Sequence, residues 1–359
     1  RSPWNLPTVV YRHENCCNEV CPCKMAVRPY HIWCFWVSPE QPEKPCKLNL
    51  FQIEQFFRKF CETLIAVVLG NFFMVTNVGQ NQPYILSDEP TQSLVVVVPG
   101  RGGIVTDWRT QDQKIFYMDK ERLADPNLSV RGGIPLLFPI CGNLPEDTYT
   151  SNGETYKLKQ HGFARSLPWE VTRQSGEDGA SITVTLCSND QTWAVYPFNF
   201  ELNYTYILRG NTLEIRSSHT NLSQKPMPFS TGIHPYFAVN DKSKLEFDLP
   251  SNEYKVKGEQ TVNTFSGAFD FNSEEIDWAF INLAKQSAVV TDKSRNLKLT
   301  INYDSNYSTL VFWTLKGQNF YCLEPWTGPR NAMNTGEHLL VAEPGKTVET
   351  VISMTAELG

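Results

Sequence analysis

Phe200–Leu208 (FELNYTYIL), Arg209–Asn211 (RGN) and Thr212–His219 (TLEIRSSH) are two β-rich runs, dense in aromatic and branched residues, joined across a Gly/Asn turn. Alternating runs around such a turn predict an antiparallel hairpin. Working outward from it, the same pattern recurs. Strands are expected at Leu94–Val98, returning through Gly102 to Trp108, and at Ser181–Leu186 and Leu245–Phe247. Others are expected at Ser287–Thr291, Leu297–Tyr303, Thr309–Leu315, Phe320–Leu323 and Val348–Ala356. Apolar periodicity of helical pitch is weak, and the helix candidates are Ser273–Trp278 and Glu54–Val68. The pattern predicts an all-β sandwich in one domain, residues 74–359.

Residues 1–73 have another composition. Seven of the ten cysteines (Cys16, Cys17, Cys21, Cys23, Cys34, Cys46, Cys61) lie there, without the paired spacing of a zinc site. The apolar run 63–75 is shorter than the roughly 20 residues that span a bilayer. The chain starts at Arg1, and globular-looking sequence begins after Met74. Residues 1–73 are therefore expected to be an N-terminal extension outside the functional domain, disordered or absent from the native protein.

The 359-residue chain carries 38 acids and 32 bases, a formal charge of -6, with no basic block. Nucleic acid is thus not an expected partner, and neither is a membrane. The expectation is a cytoplasmic monomer acting on a small molecule.

Three separated segments collect proton-transfer groups: Gln160–Arg165 (QHGFAR), Gly232–Tyr236 (GIHPY) and Leu323–Trp326 (LEPW). Opening a cyclic hemiacetal needs a base for the anomeric hydroxyl and an acid for the ring oxygen, expected on opposite sides of the bond that breaks. Glu324 and His234 suit those tasks, because imidazole exchanges protons near neutral pH. Taken singly, His234 reads more often as a satisfied core or turn histidine, and Glu324 can be the first exposed residue after an apolar strand. Arg165 offers forked donors to hydroxyls or phosphate, or a strand-end ion pair. Gln160 can read a hydroxyl, or pair with its own loop. Arg131, before Gly132-Gly133, is a further guanidinium, and Asp277 is a hydroxyl ligand or a turn aspartate. Trp278, Trp326 and Tyr236 can stack on a sugar face or pack in a core. His161, His234 and Glu324 as metal ligands would lack the close spacing such sites show, so no metal is expected.

RGGIPLLFP (131–139), QHGFAR, GIHPYF, the Asp277 segment and LEPW, in this order, resemble the aldose 1-epimerase superfamily, and most of all its glucose-6-phosphate 1-epimerase branch. The likeness runs from about Val75 to the C-terminus. It implies a galactose-mutarotase-like β-supersandwich that interconverts α and β anomers of an aldose or hexose 6-phosphate without cofactor or metal. By position, it makes Glu324 the general base and His234 the general acid. Arg131, Gln160, His161, Arg165 and Asp277 become substrate contacts. One departure is clear: the branch commonly has Gln-Phe-Gly after Phe138-Pro139, whereas this chain has Ile140-Cys141-Gly142. The competing function is a carbohydrate-binding domain that keeps the pocket without turnover.

Overall fold

In the computed structural model the described residues are 23–28, 31–36, 73–77, 83–125, 127–151 and 153–359. Contacts divide the chain into Arg1–Gly70 and Asn71–Gly359. Within the first unit, Cys23–Arg28 pairs antiparallel with His31–Trp36. The helix expected at Glu54–Val68 lies outside the described residues, as does most of the 1–73 segment. The strand Phe73–Asn77 of the second unit pairs with Tyr84–Asp88.

The second unit is built from antiparallel sheets, the galactose-mutarotase-like β-supersandwich. One eight-stranded sheet runs in the order Glu170–Ser175, Ala180–Cys187, Phe200–Arg209, Thr212–Asn221, Thr347–Leu358, Leu297–Tyr303, Ser287–Asp292 and Leu245–Asp248. The opening hairpin is at its centre, with Arg209 paired to Thr212 so that Gly210-Asn211 forms a two-residue turn. Gly210 has φ +60°, a conformation glycine adopts without the Cβ penalty. Alternation does the work here. In Leu297–Tyr303, Leu297, Leu299, Ile301 and Tyr303 are buried while Lys298 and Asn302 face outward.

The second large sheet runs Val262–Thr264, Glu253–Val256, Glu275–Phe280, Thr309–Leu315, Phe320–Trp326, Gly232–Ile233 and Leu136–Leu137, with Tyr236–Ala238 also paired to Phe320–Trp326. The helix expected at Ser273–Trp278 is instead the strand Glu275–Phe280. Polar and apolar residues alternate over Glu275–Trp278, and pairing with Glu253–Val256 on one side and Thr309–Leu315 on the other outweighs a short local helical preference. Sequence reading also passed over Tyr84–Asp88, Glu170–Ser175 and Glu253–Val256, strands of four to six residues with little full burial of their own.

Phe320–Trp326 is the strand that matters for chemistry, since all seven of its residues are buried. Tyr321 and Leu323 enter the main core. Phe320, Cys322, Glu324 and Trp326 alternate with them and occupy the other face. An acid buried on a strand covered on both sides is the fold's clearest departure from simple in-and-out patterning.

Candidate active site

Sheet order explains how the separated motifs meet. Gly232 pairs with both Trp326 and Leu137, which places GIHPY between LEPW and RGGIPLLFP. On the other flank, Asp277 is in register with Trp313, Trp313 with Cys322, and Cys322 with Tyr236. The QHGFAR loop is tied to the same group, its Phe163 N–H donating to the Phe138 carbonyl at 3.0 Å.

At the centre His234 Nε2 lies 3.3 Å from Glu324 Oε1. The Trp326 indole N–H donates to Glu324 Oε2 at 3.2 Å. Glu324 is 1% exposed and His234 8%. His234 and Glu324, expected on opposite sides of a reacting bond, stand side by side in the structure. His234 is held by Tyr236, stacked at 4.7 Å between ring centres, and by Trp313 edge-on at 5.6 Å.

Burial, with Asp277 adding to it, pushes the Glu324 carboxyl well above the usual carboxylate range, while Arg330, the Trp326 donor and Arg165 pull it back. Burial holds the His234 imidazole down to about 3, and Arg165 adds to the effect. A carboxylic acid beside a neutral imidazole holds as many protons as a carboxylate beside an imidazolium. Without water the neutral pair is favoured, because neither charge then needs solvation.

His161 sits in a left-handed backbone conformation, φ +66°. Its N–H donates to the Gly142 carbonyl at 2.7 Å, and the Gly142 N–H donates back to His161 Nδ1 at 3.1 Å. That second bond assigns the ring proton to Nε2, leaving a fixed donor. Burial and the nearby cations hold the imidazole well below its ordinary range, so this donor is neutral. Its ring meets His234 at 5.5 Å and Trp326 at 5.6 Å.

Gly162 follows with φ +68°, and a Cβ there would lie 2.2 Å from the Phe138 carbonyl oxygen. Gly162→Ala is therefore expected to destabilise the fold by about 3 kcal/mol or more, measured by urea unfolding. A loss under about 1 kcal/mol would mean that the loop relaxes freely.

The remaining expected residues divide. Asp277 is buried and already engaged, accepting from Arg330 at 2.6 Å and lying 3.4 Å from Lys257 Nζ. Arg165 is half-buried and donates to the Gln160 carbonyl at 2.8 Å. Gln160 is exposed and, with Asn143, Asp147, Lys159, Arg165 and Lys257, lines a cavity of about 460 Å³. Arg131 is exposed and stands apart from that lining. Trp326 underlies the site, whereas Trp278 stacks on Tyr254 at 4.1 Å and packs against the core. Ile140 and Cys141 are buried among apolar side chains, so the departure from Gln-Phe-Gly falls on core positions.

Lys257 and Lys159 escaped selection from sequence, whereas Arg330, in the long segment after Glu324, reads there as an anion contact or a solvated loop charge. Arg330 lies over Trp326 at 5.1 Å, a cation–π distance, while it binds Asp277. Lys257 and Lys159 bring positive charge to the cavity. Nothing around an isolated lysine in a polar turn marks it as part of a site.

Comparison with known proteins agrees with the architecture. The aldose 1-epimerase family model matches residues 84–355. Slr1438 from Synechocystis sp. PCC 6803 is 42% identical, with a TM-score of 0.76 over 80% of this chain and 100% of its own. A galactose mutarotase related enzyme from Lactobacillus acidophilus shares the fold at 24% identity, with a TM-score of 0.64 over 79% of this chain and 97% of that one. A Cenchrus ciliaris protein provisionally named glucose-6-phosphate 1-epimerase is 23% identical over 250 residues, 62% of this chain and 72% of its own. Among the described residues no helix is long and apolar enough to cross a membrane. With its motifs gathered on one sheet and the family match running through nearly all of the sandwich, the chain belongs to the aldose 1-epimerase family.

Proposed function

We propose that the protein is a mutarotase that opens and recloses the ring of an aldose or hexose 6-phosphate, with His234 and Glu324 moving the protons. The observation that carries this is the buried 3.3 Å contact between them, set in an aldose 1-epimerase fold. The ring oxygen and the anomeric hydroxyl hang on the same carbon, so neighbouring groups can serve both. One group takes the hydroxyl proton as the other protonates the ring oxygen, the C1–O5 bond breaks, and a free aldehyde forms. After rotation about C1–C2 the exchange runs backwards onto the other face. With Glu324 as base and His234 as acid, the charge separation that burial disfavours at rest is relieved as the ring opens.

His161, Arg165, Gln160 and Asp277 position the sugar in this reading. Lys159, Arg165 and Lys257 outnumber Asp147 around the cavity, which favours an anionic substrate group. A binding module would gain nothing from burying an acid against an imidazole, so catalysis explains the pair better than sugar capture alone.

The test is polarimetry on freshly dissolved α-glucose, α-galactose and α-glucose 6-phosphate with the purified chain. Faster anomerisation than in buffer is expected, with the phosphate ester preferred. Arg165→Ala is expected to raise KM for glucose 6-phosphate by about 10- to 100-fold and KM for glucose by much less, the loss of one charged hydrogen bond. No acceleration on any aldose by folded protein would remove the catalytic reading. Equal KM changes for both sugars would remove the phosphate.

A further inference from the structure

Cys322 has no part in the proton transfers above, yet it shares a strand face with Glu324 and is in register with Tyr236, two residues from His234. The Cys322 thiol sulfur, an imidazole nitrogen of His234 and a carboxylate oxygen of Glu324 all lie within 4.8 Å of one another, and all three residues are buried. Sulfur, nitrogen and oxygen donors are the set that borderline-soft divalent cations take. Tetrahedral zinc with bonds of about 2.0–2.1 Å to nitrogen and oxygen needs those two atoms roughly 3.3–3.4 Å apart. The His234–Glu324 separation is 3.3 Å as it stands.

We propose that Cys322, His234 and Glu324 form a binding site for a thiophilic divalent cation of the Zn²⁺ or Cd²⁺ class, which blocks the site rather than serving it. Binding places a thiolate, a carboxylate and a neutral imidazole on the cation and releases the thiol and carboxyl protons to solvent. Two negative ligands then cancel the two positive charges, so the buried complex is neutral and its desolvation cost small. The cation occupies the atoms that must exchange protons with the sugar, and a fourth coordination position is left for water or a substrate hydroxyl.

Mutarotation by the full chain should fall as Zn²⁺ is added and return on chelation by EDTA. Cys322→Ala should keep the basal turnover and weaken Zn²⁺ inhibition by more than about 100-fold, since loss of a supporting contact alone costs 10- to 100-fold. Cys141→Ala, changing the other buried thiol near Glu324, should leave inhibition intact. Independently of any turnover, Co²⁺ added to the full chain should give a thiolate-to-cobalt charge-transfer band in the difference spectrum against Cys322→Ala. The difference cancels the thiols elsewhere in the chain, and Cys322→Ser serves if the alanine variant misfolds.

A flat difference spectrum, or equal Zn²⁺ inhibition of both proteins, would overturn the site. If no aldose is turned over but the cobalt band appears, the metal site stands and the catalytic reading falls.

Discussion

Glu324→Gln is expected to lower kcat for anomerisation by about 10²- to 10⁴-fold while leaving sugar affinity within a few-fold of the parent. The amide has the shape of the acid. Its oxygen still accepts the Trp326 indole N–H, now 3.2 Å from Glu324 Oε2, and its nitrogen can donate to His234 Nε2. What it cannot do is take up or give up a proton. Since the glutamine carries no ionisable group into a buried site, the thermal midpoint should hold or rise. Polarimetry read beside calorimetric titration with the sugar separates the outcomes. Retention of a tenth or more of the activity would take Glu324 out of the chemistry. Equal loss of binding and turnover would make it a structural residue.

Acid should destabilise this fold well above the pH at which carboxylates titrate. His219 is fully buried in the central hairpin, with the Tyr204 hydroxyl 3.2 Å from its Nε2 and the Val348 carbonyl 3.3 Å from its Nδ1. Burial holds its imidazole down to about 4. The unfolded chain binds that proton near pH 6.5. Between the two values the unfolded state holds more protons, so stability falls as the pH is lowered from about 6.5 to 4, by about 3 kcal/mol from this residue alone. Below about 4 both states are protonated and the loss stops.

His161 and His234 act in the same sense. Glu324 opposes them, since its folded carboxyl keeps a proton that the unfolded chain has given up. Denaturant unfolding at pH 7 and pH 5 measures the sum, and His219→Phe isolates one member. A phenyl ring can take the place of the imidazole against Phe138 and Phe229, which stack on His219 at 5.8 and 4.9 Å. The variant should reduce the pH slope by about one proton, or about 1.4 kcal/mol per pH unit. An unchanged slope would show that His219 is already charged in the folded protein.

The all-β class was legible because alternation is a local property. Leu297–Tyr303 follows from its own residues, and so does the hairpin through Gly210-Asn211. Motif order was enough to imply the family and to pick out His234, Glu324 and Asp277 as candidates. Sequence failed where a neighbour decides: EIDWAF becomes a strand because strands on both sides hydrogen-bond to it.

The site's chemistry needed the third dimension for the same reason. Sequence supplied an acid and an imidazole 90 residues apart, but their contact comes from Gly232 pairing with Trp326. Cys322 looked like one more apolar residue before a glutamate, and only the strand's alternation puts its sulfur beside the proton-transfer pair. Arg330 and Lys257 converge on Asp277 from loops that carry no motif. Local patterning fixes which residues are extended and which face they share. Protonation, charge balance and ligand geometry depend on what long-range pairing brings within a few ångströms and on how much water it excludes.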